Sequence, residues 1–178
     1  MRFKIAIIAL ALTCVFASSA FAWQQNGVPI CTAADSQQCP TIVSDGAGGA
    51  IIAWQDYRGT DYDIYAQRVS ASGVPLWTAN GVAICTNTGG QRFSTVASDG
   101  AGGAIITWRD ARSGTNYDIY AQRVSASGVP LWTANGVAVC TATGHQEHPG
   151  LLLMVLAERS LSGKTNAVTR IVTSMPKG

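Results

Sequence analysis

The chain has 178 residues, of which 47% are apolar and only 12% charged, with 19 glycines. This excludes a disordered tail, in which high charge and low hydrophobicity prevent a core from forming. The formal charge of +2 falls to zero once Arg2 and Lys4 are set aside, because residues 23–178 hold ten basic and ten acidic side chains. No basic surplus is left to attract a phosphate backbone by counterion release, so a nucleic-acid partner is excluded too.

Residues 1–22 have the layout of a secretory signal peptide. Arg2 and Lys4 make a positive start, residues 5–16 an apolar stretch, and Ala20-Phe21-Ala22 a small-x-small cleavage site. The apolar stretch is short for a bilayer span, and Ser18-Ser19 follow it. Cys14 comes after Ala11-Leu12-Thr13, a poor match to a lipoprotein signal. The mature chain is expected to begin at Trp23 and to work outside a bacterial cytoplasm, secreted or at the cell surface, without a membrane span.

From Trp23 onward the sequence repeats, and a repeat sets the architecture before any single element does. Residues 62–83 read YDIYAQRVSASGVPLWTANGVA, and residues 117–138 are the same string. Residues 44–52 (SDGAGGAII) recur at 98–106, and Trp23, Trp77 and Trp132 mark a period of 54 and then 55. The one-residue difference falls in a turn, where Arg58-Gly59-Thr60-Asp61 becomes Arg112-Ser113-Gly114-Thr115-Asn116. The period divides the chain into repeat 1 (23–76), repeat 2 (77–131) and the start of a third (132–149).

Each unit offers four short strands and no capped helical pattern. In the second unit these are GVAIC (81–85), STVAS (94–98), AIITW (104–108) and DIYAQRV (118–124), with a glycine-rich turn at 99–103. AIITW is apolar throughout, as in a strand covered on both faces, while DIYAQRV alternates like a half-exposed one. Short strands at even spacing, with one aromatic and glycine signature per unit, predict an all-β fold of tandem four-stranded antiparallel blades of the propeller type, in an incomplete array.

The joint motif SDGxGGAIIxWxDxR, then DIYAQRV, then Trp and NGV, resembles the repeats of bacterial secreted β-propeller-like proteins over residues 23 to about 144. The resemblance implies a propeller-like array, usually without an assigned activity and often followed by a sorting or anchoring module, which is not recognised in this sequence. A fainter likeness to the sialidase Asp-box fails in detail, because Ser44 and Asp45 are adjacent and Trp54 lies too far on.

No residue is assigned to catalysis, to a cofactor or to a metal. Asp45 and Asp99 precede turn glycines, where a carboxylate bonding backbone N–H groups explains them better than a calcium loop, which needs several oxygens at alternating positions. Asp56 with Arg58, and Asp110 with Arg112, are placed to pair within or between blades. Asp63 and Asp118 open the next strand. A glycosidase needs two carboxylates in different environments, and side chains that recur identically make a poor pair. Trp54, Trp108 and the period-marking tryptophans are expected to fill space between blades with the indole N–H on a carbonyl, in preference to stacking on a sugar. Cys31, Cys85 and Cys140 share one repeat position. Cys31–Cys39 is the best local candidate for a disulfide in an exported chain, and Cys85 and Cys140 are expected to be small buried apolar residues. His145 and His148 read as a polar loop between strands, lacking the further ligands a metal requires.

After Pro149 the character changes. Residues 151–178 hold five leucines, two lysines and two methionines, but no Trp, Tyr or Asp. Read two bases later with one self-consistent codon choice, this tail becomes SSDGAGGAIIIWQDERGDQDSDIYAQR, which is the repeat motif in order. Residues 150–178 are therefore expected to be a frameshifted tail without a native fold. The functional expectation is a non-catalytic binding or scaffold surface, part of a longer repeat protein, for an unknown glycan or protein, with self-association through open blade edges. The alternative is a fragment of a glycan-processing, sialidase-like propeller enzyme.

Overall fold

A computed structural model describes residues 26–146, 149, 151–152 and 172–173. The expected signal peptide (1–22), Trp23, His148 and most of the tail lie outside the described residues. The described chain is all-β. Strands β1 (Gln37–Ser44), β2 (Ala50–Asp56), β3 (Asp63–Val69) and β4 (Val82–Cys85) form one four-stranded antiparallel sheet in the order β1-β2-β3-β4. Strands β5 (Gln91–Ser98), β6 (Ala104–Asp110), β7 (Asp118–Val124) and β8 (Val137–Cys140) form a second in the order β5-β6-β7-β8. Two short strands, β9 (Leu151–Leu152) and β10 (Val172–Thr173), pair with each other. No described helix is long and apolar enough to cross a membrane.

The strands sit where their residues direct them. β2 is apolar on both faces and is buried from Ile51 to Asp56, as a central strand should be. The turn before it closes because Asp45 Oδ1 accepts from the N–H of Ala47 and of Gly49, both at 2.8 Å. Gly49 has no substitute there, since a Cβ would stand 2.1 Å from the Val69 carbonyl oxygen of the neighbouring strand.

The sequence grouping of strands needs one correction. GVAIC was placed at the head of its repeat, but Val82–Cys85 pairs with β3 and closes the first sheet, as Val137–Cys140 closes the second. Sequence period and sheet are out of phase, because the period reveals what recurs and not which neighbours pair.

The sheets pack front to back. Ile51, Ala53, Ile64 and Ala66 of the first share a core with Ala104, Ile106, Trp108 and Val124 of the second. Ala104, Ile106 and Trp108 are the counterparts of Ala50, Ile52 and Trp54, which lie on the opposite face of the first sheet from Ile51 and Ala53. That opposite face, with Ile52, Trp54 and Val69, packs in turn on Ile30 and Cys31, the counterparts of Ile84 and Cys85. One contact is thus used twice along the chain. Burying Trp108 and Ile106 completely stabilises the junction by about 2 kcal/mol per side chain.

Candidate functional site

The polar groups of the repeat gather at the seam between units. Asp56 ends β2 and is fully buried. Trp54 Nε1 donates to its Oδ2 at 2.8 Å, and the Arg58 backbone N–H and Nε donate to Oδ1 at 3.0 and 2.9 Å. An Arg58 terminal nitrogen lies 2.5 Å from Oδ2 and also donates to the Asn80 carbonyl at 2.9 Å. The guanidinium lies over the Tyr65 ring, 3.7 Å from its centroid. Burial pushes Asp56 up, but the hydrogen bonds from Arg58 and Trp54 outweigh it and hold the carboxyl below its ordinary value. The same contacts, led by the bond to Asp56, raise Arg58.

The second unit repeats this network. Trp108 Nε1 donates to Asp110 Oδ2 at 2.7 Å, Arg112 Nε donates to Oδ1 at 2.9 Å, and Arg112 reaches the Asn135 carbonyl at 2.7 Å and covers Tyr120 at 3.7 Å. The cysteines connect one unit to the next. Cys31 Sγ lies 3.5 Å from Arg58 and 3.9 Å from Asp56. Cys85, on the closing strand of the first sheet, lies 3.3 Å from Arg112 and 3.9 Å from Asp110 of the second. Asn80 Oδ1 accepts from Thr32 N–H at 2.8 Å, and Asn135 Oδ1 from Thr86 N–H at 3.0 Å. The Asp, Arg and Asn of each sheet's network therefore hold the segment that precedes that sheet: residues 31–32 for the first and the end of β4 for the second.

A second set of bonds ties the opposite end. Asp45 is salt-bridged to Arg68 at 2.8 Å, and Asp99 to Arg123 at 2.9 Å. Backbone hydrogen bonds, that from Ala47 foremost, hold Asp45 below its ordinary value. Arg68 and the Trp77 indole both donate to the Ala126 carbonyl of the second unit at 3.0 Å.

Measured against the sequence, the turn role of Asp45 and Asp99 and the pairing of Asp56 with Arg58 and Asp110 with Arg112 are seen. The carbonyl partner is right for Trp77 but not for Trp54 and Trp108, whose indoles bond carboxylates. Trp77 does fill the gap between sheets, pressed against Gly128, where a Cβ would stand 2.8 Å from its ring, while Trp132 is half-exposed. The Cys31–Cys39 disulfide is corrected. All four described cysteines are free thiols, because Cys31 is drawn to the Asp56–Arg58 pair while Cys39 stands exposed on a β-bulge. Cys85 is buried, which pushes its thiol up to about 12, but Cys140 is only half-buried. His145 belongs to a loop, where its Nδ1 accepts from the Tyr117 N–H at 3.3 Å. Asp63 and Asp118 are buried at the start of β3 and β7. Tyr65, Asn80 and Arg68 were missed, although their recurrence at Tyr120, Asn135 and Arg123 was a readable signal.

Seam grooves of about 330 and 340 Å³ open beside these networks, one lined by Thr32, Gln67, Trp77 and Asn80, the other by Thr86, Gln122, Trp132 and Asn135. Their amides are occupied: Gln67 Nε2 donates to the Thr78 carbonyl and Oε1 accepts from the Trp77 N–H, both at 2.9 Å. Among the described residues no cluster of His, Cys, Asp and Glu could hold a metal. Compared with protein-family models, curated proteins and solved structures, the chain shows no match.

Proposed function

We propose that the chain is a non-catalytic, extracytoplasmic segment of a propeller-type repeat array that serves as a binding or scaffold surface. The observation that carries this reading is the use of the seam carboxylates. Asp56 and Asp110 are buried, each is fully engaged by one tryptophan and one arginine, and the two environments are alike. Acid and base roles need carboxylates whose surroundings push them apart. Networks that clamp the preceding strand instead suit a chain built by adding units.

One observation favours the alternative, a fragment of a glycan-processing enzyme: burial and the neighbouring charges of Asp61 and Asp56 push the Asp63 carboxyl up to about 6, a value suited to a general acid. Hydrolysis of aryl glycosides, sialosides included, between about pH 4 and 8 separates the two. The scaffold reading expects no turnover above buffer. Turnover abolished by Asp63→Asn in a folded variant would establish the enzyme. Expression in a bacterium with the leader intact tests the compartment: the product should lose residues 1–22 and leave the cytoplasm, and a cytoplasmic product still starting at Met1 refutes export.

A further inference from the structure

The two units diverge most in their first strand and the loop before it, and one group of the differing positions meets in space. The framework from Ser44 to Leu76 is nearly the same string as that from Ser98 to Leu131, whereas β1 carries Gln38-Cys39-Pro40 where β5 carries Arg92-Phe93-Ser94. These triplets form β-bulges. Cys39 and Phe93 have φ of 50° and 54°, and the ladders skip from Gln38 to Thr41 and from Arg92 to Thr95. Gln55 and Arg109, which also differ, pair across from Gln38 and Arg92. Gln55 Oε1 accepts from the Phe93 N–H at 3.2 Å, which ties the first sheet to the second unit's bulge. The Arg109 guanidinium lies 5.1 Å from the Phe93 ring centroid.

The bulges converge on a cavity of about 330 Å³ lined by Cys39–Thr41, Phe93–Thr95 and Pro149. Pro149 holds in the third unit the place of Pro40 and Ser94. The alignment is fixed by Gln146, whose N–H bonds the Tyr117 carbonyl as that of Gln91 bonds the Tyr62 carbonyl. One position from three successive units therefore meets at one place. Ser94 is 4% exposed, and its hydroxyl and that of Thr41 are buried without a hydrogen-bond partner, unlike the satisfied amides of the seam grooves. Phe93, by contrast, is 43% exposed.

We infer that this cavity is a ligand site for one ring of a neutral saccharide, an inference that rests on the binding reading above and names its ligand. The lining matches the two sides of such a ring: Phe93, Pro40 and Pro149 offer apolar surface to its C–H face, and Thr41 and Ser94 hold the unpartnered hydroxyls for its rim, while the Thr95 hydroxyl already donates to the Pro149 carbonyl at 2.9 Å. Among the described residues that line the cavity there is no carboxylate, ammonium or guanidinium to match an ion. An extended peptide fits poorly, because a bulge breaks the regular edge that an added strand would extend. The volume lies at the lower end of the range for small-molecule sites.

Cys39 is exposed at this cavity, while Cys85 is buried and Cys31 and Cys140 are half-buried. Maleimide labelling of Cys39 in the intact chain, followed by peptide mass spectrometry, reports occupancy. The probes are neutral glucan, mannan and galactan oligosaccharides, with uronic-acid and sialylated glycans and a peptide library for comparison. At least one neutral glycan should slow Cys39 labelling severalfold. Phe93→Ala and Ser94→Ala, shown to be folded by circular dichroism, should each weaken its binding about tenfold (~1.4 kcal/mol), and Ser127→Ala should not. The inference is overturned if no neutral glycan protects Cys39, if glycan binding survives both cavity substitutions, or if only acidic glycans or peptides bind. Failure here with no glycoside turnover leaves the scaffold reading standing. Turnover dependent on Asp63, with Cys39 protection retained, removes the scaffold reading and keeps the cavity.

Discussion

Asp63 and Asp56 lie in one unit and respond to pH in opposite senses. Asp63, raised to about 6, keeps a proton when folded that it loses when unfolded. Its contribution to stability is fully present below about pH 3.8 and is lost as the pH rises through about 6. Asp45 and Asp56 are held below their ordinary values, so what they contribute is present above about pH 3.8 and disappears as the pH falls. Stability is therefore expected to be greatest near about pH 4 and to decline as the pH rises through about 6. Asp63→Asn should reduce the drop in melting temperature between about pH 5 and 8; an unchanged drop would assign the alkaline loss to another group. Asp110→Ala makes a different point. It strands the Trp108 indole and leaves the Arg112 guanidinium, 17% exposed at its side chain, without its carboxylate. A loss of about 3 kcal/mol is expected in urea melts, and a change within about 0.5 kcal/mol would show that the seam network is dispensable.

Turn glycines separate two effects at the level of the element. Gly136 and Gly114 both have positive φ, 85° and 72°, but a Cβ at Gly136 would lie 2.5 Å from the Trp108 ring, whereas one at Gly114 meets nothing within 4 Å. Ala at either site carries the backbone penalty of about 1 kcal/mol; Gly136→Ala should cost distinctly more, and equal losses would mean that the Trp108 ring yields easily. Much of this element-level pattern was legible in the sequence. AIITW reads as a buried strand because both faces are apolar, and the DGAGG turn because glycine and aspartate have few other uses there. The ownership of GVAIC was not legible, since strand pairing is a long-range property that a period does not encode. The indole of Trp54 turns to a carboxylate because Asp56, two residues on, emerges on the same face of β2, a relation that alternation contains but that only the partly buried Arg58 makes favourable. The bulge cavity was hidden for a similar reason: Cys39, Phe93 and Pro149 are far apart in the chain and look like lapses in the repeat until the sheets bring them together.

Front-to-back packing governs the molecule as a whole. A contact in which one face of a unit receives the opposite face of the next is heterologous, and a heterologous contact continues until a ring closes or the units run out. β4 presents Cys85 to the Asp110–Arg112 pair, and β8 brings Cys140 to the corresponding place, half-buried. Open edges of this kind favour pairing with another copy, so sedimentation of the purified chain should show association that grows with concentration, and a monomer with a sharp melt at high temperature would contradict it. For residues 151–178 we propose an origin as a frameshifted third unit of the array. Read two bases later, the codons of Leu153 and Met154 can supply the GAT of aspartate, those of Met154 and Val155 the GGT of glycine, and Ser162 with Gly163 the TGG of tryptophan. Continued to Gly178, the shifted frame restores SSDGAGGAIIIWQDERGDQDSDIYAQR, with the Trp-x-Asp-x-Arg spacing of the seam network and the DIYAQR of β3 and β7. Met154, Met175 and the single codon family of each lysine and asparagine leave little freedom at their positions, so a match sustained along the segment is not a product of codon degeneracy. Sequencing the gene is expected to show codons for residues 151–178 that encode a third unit in the alternative frame, with a one- or two-base change near the codon for Gly150; codons that do not spell the repeat there refute this origin for the tail.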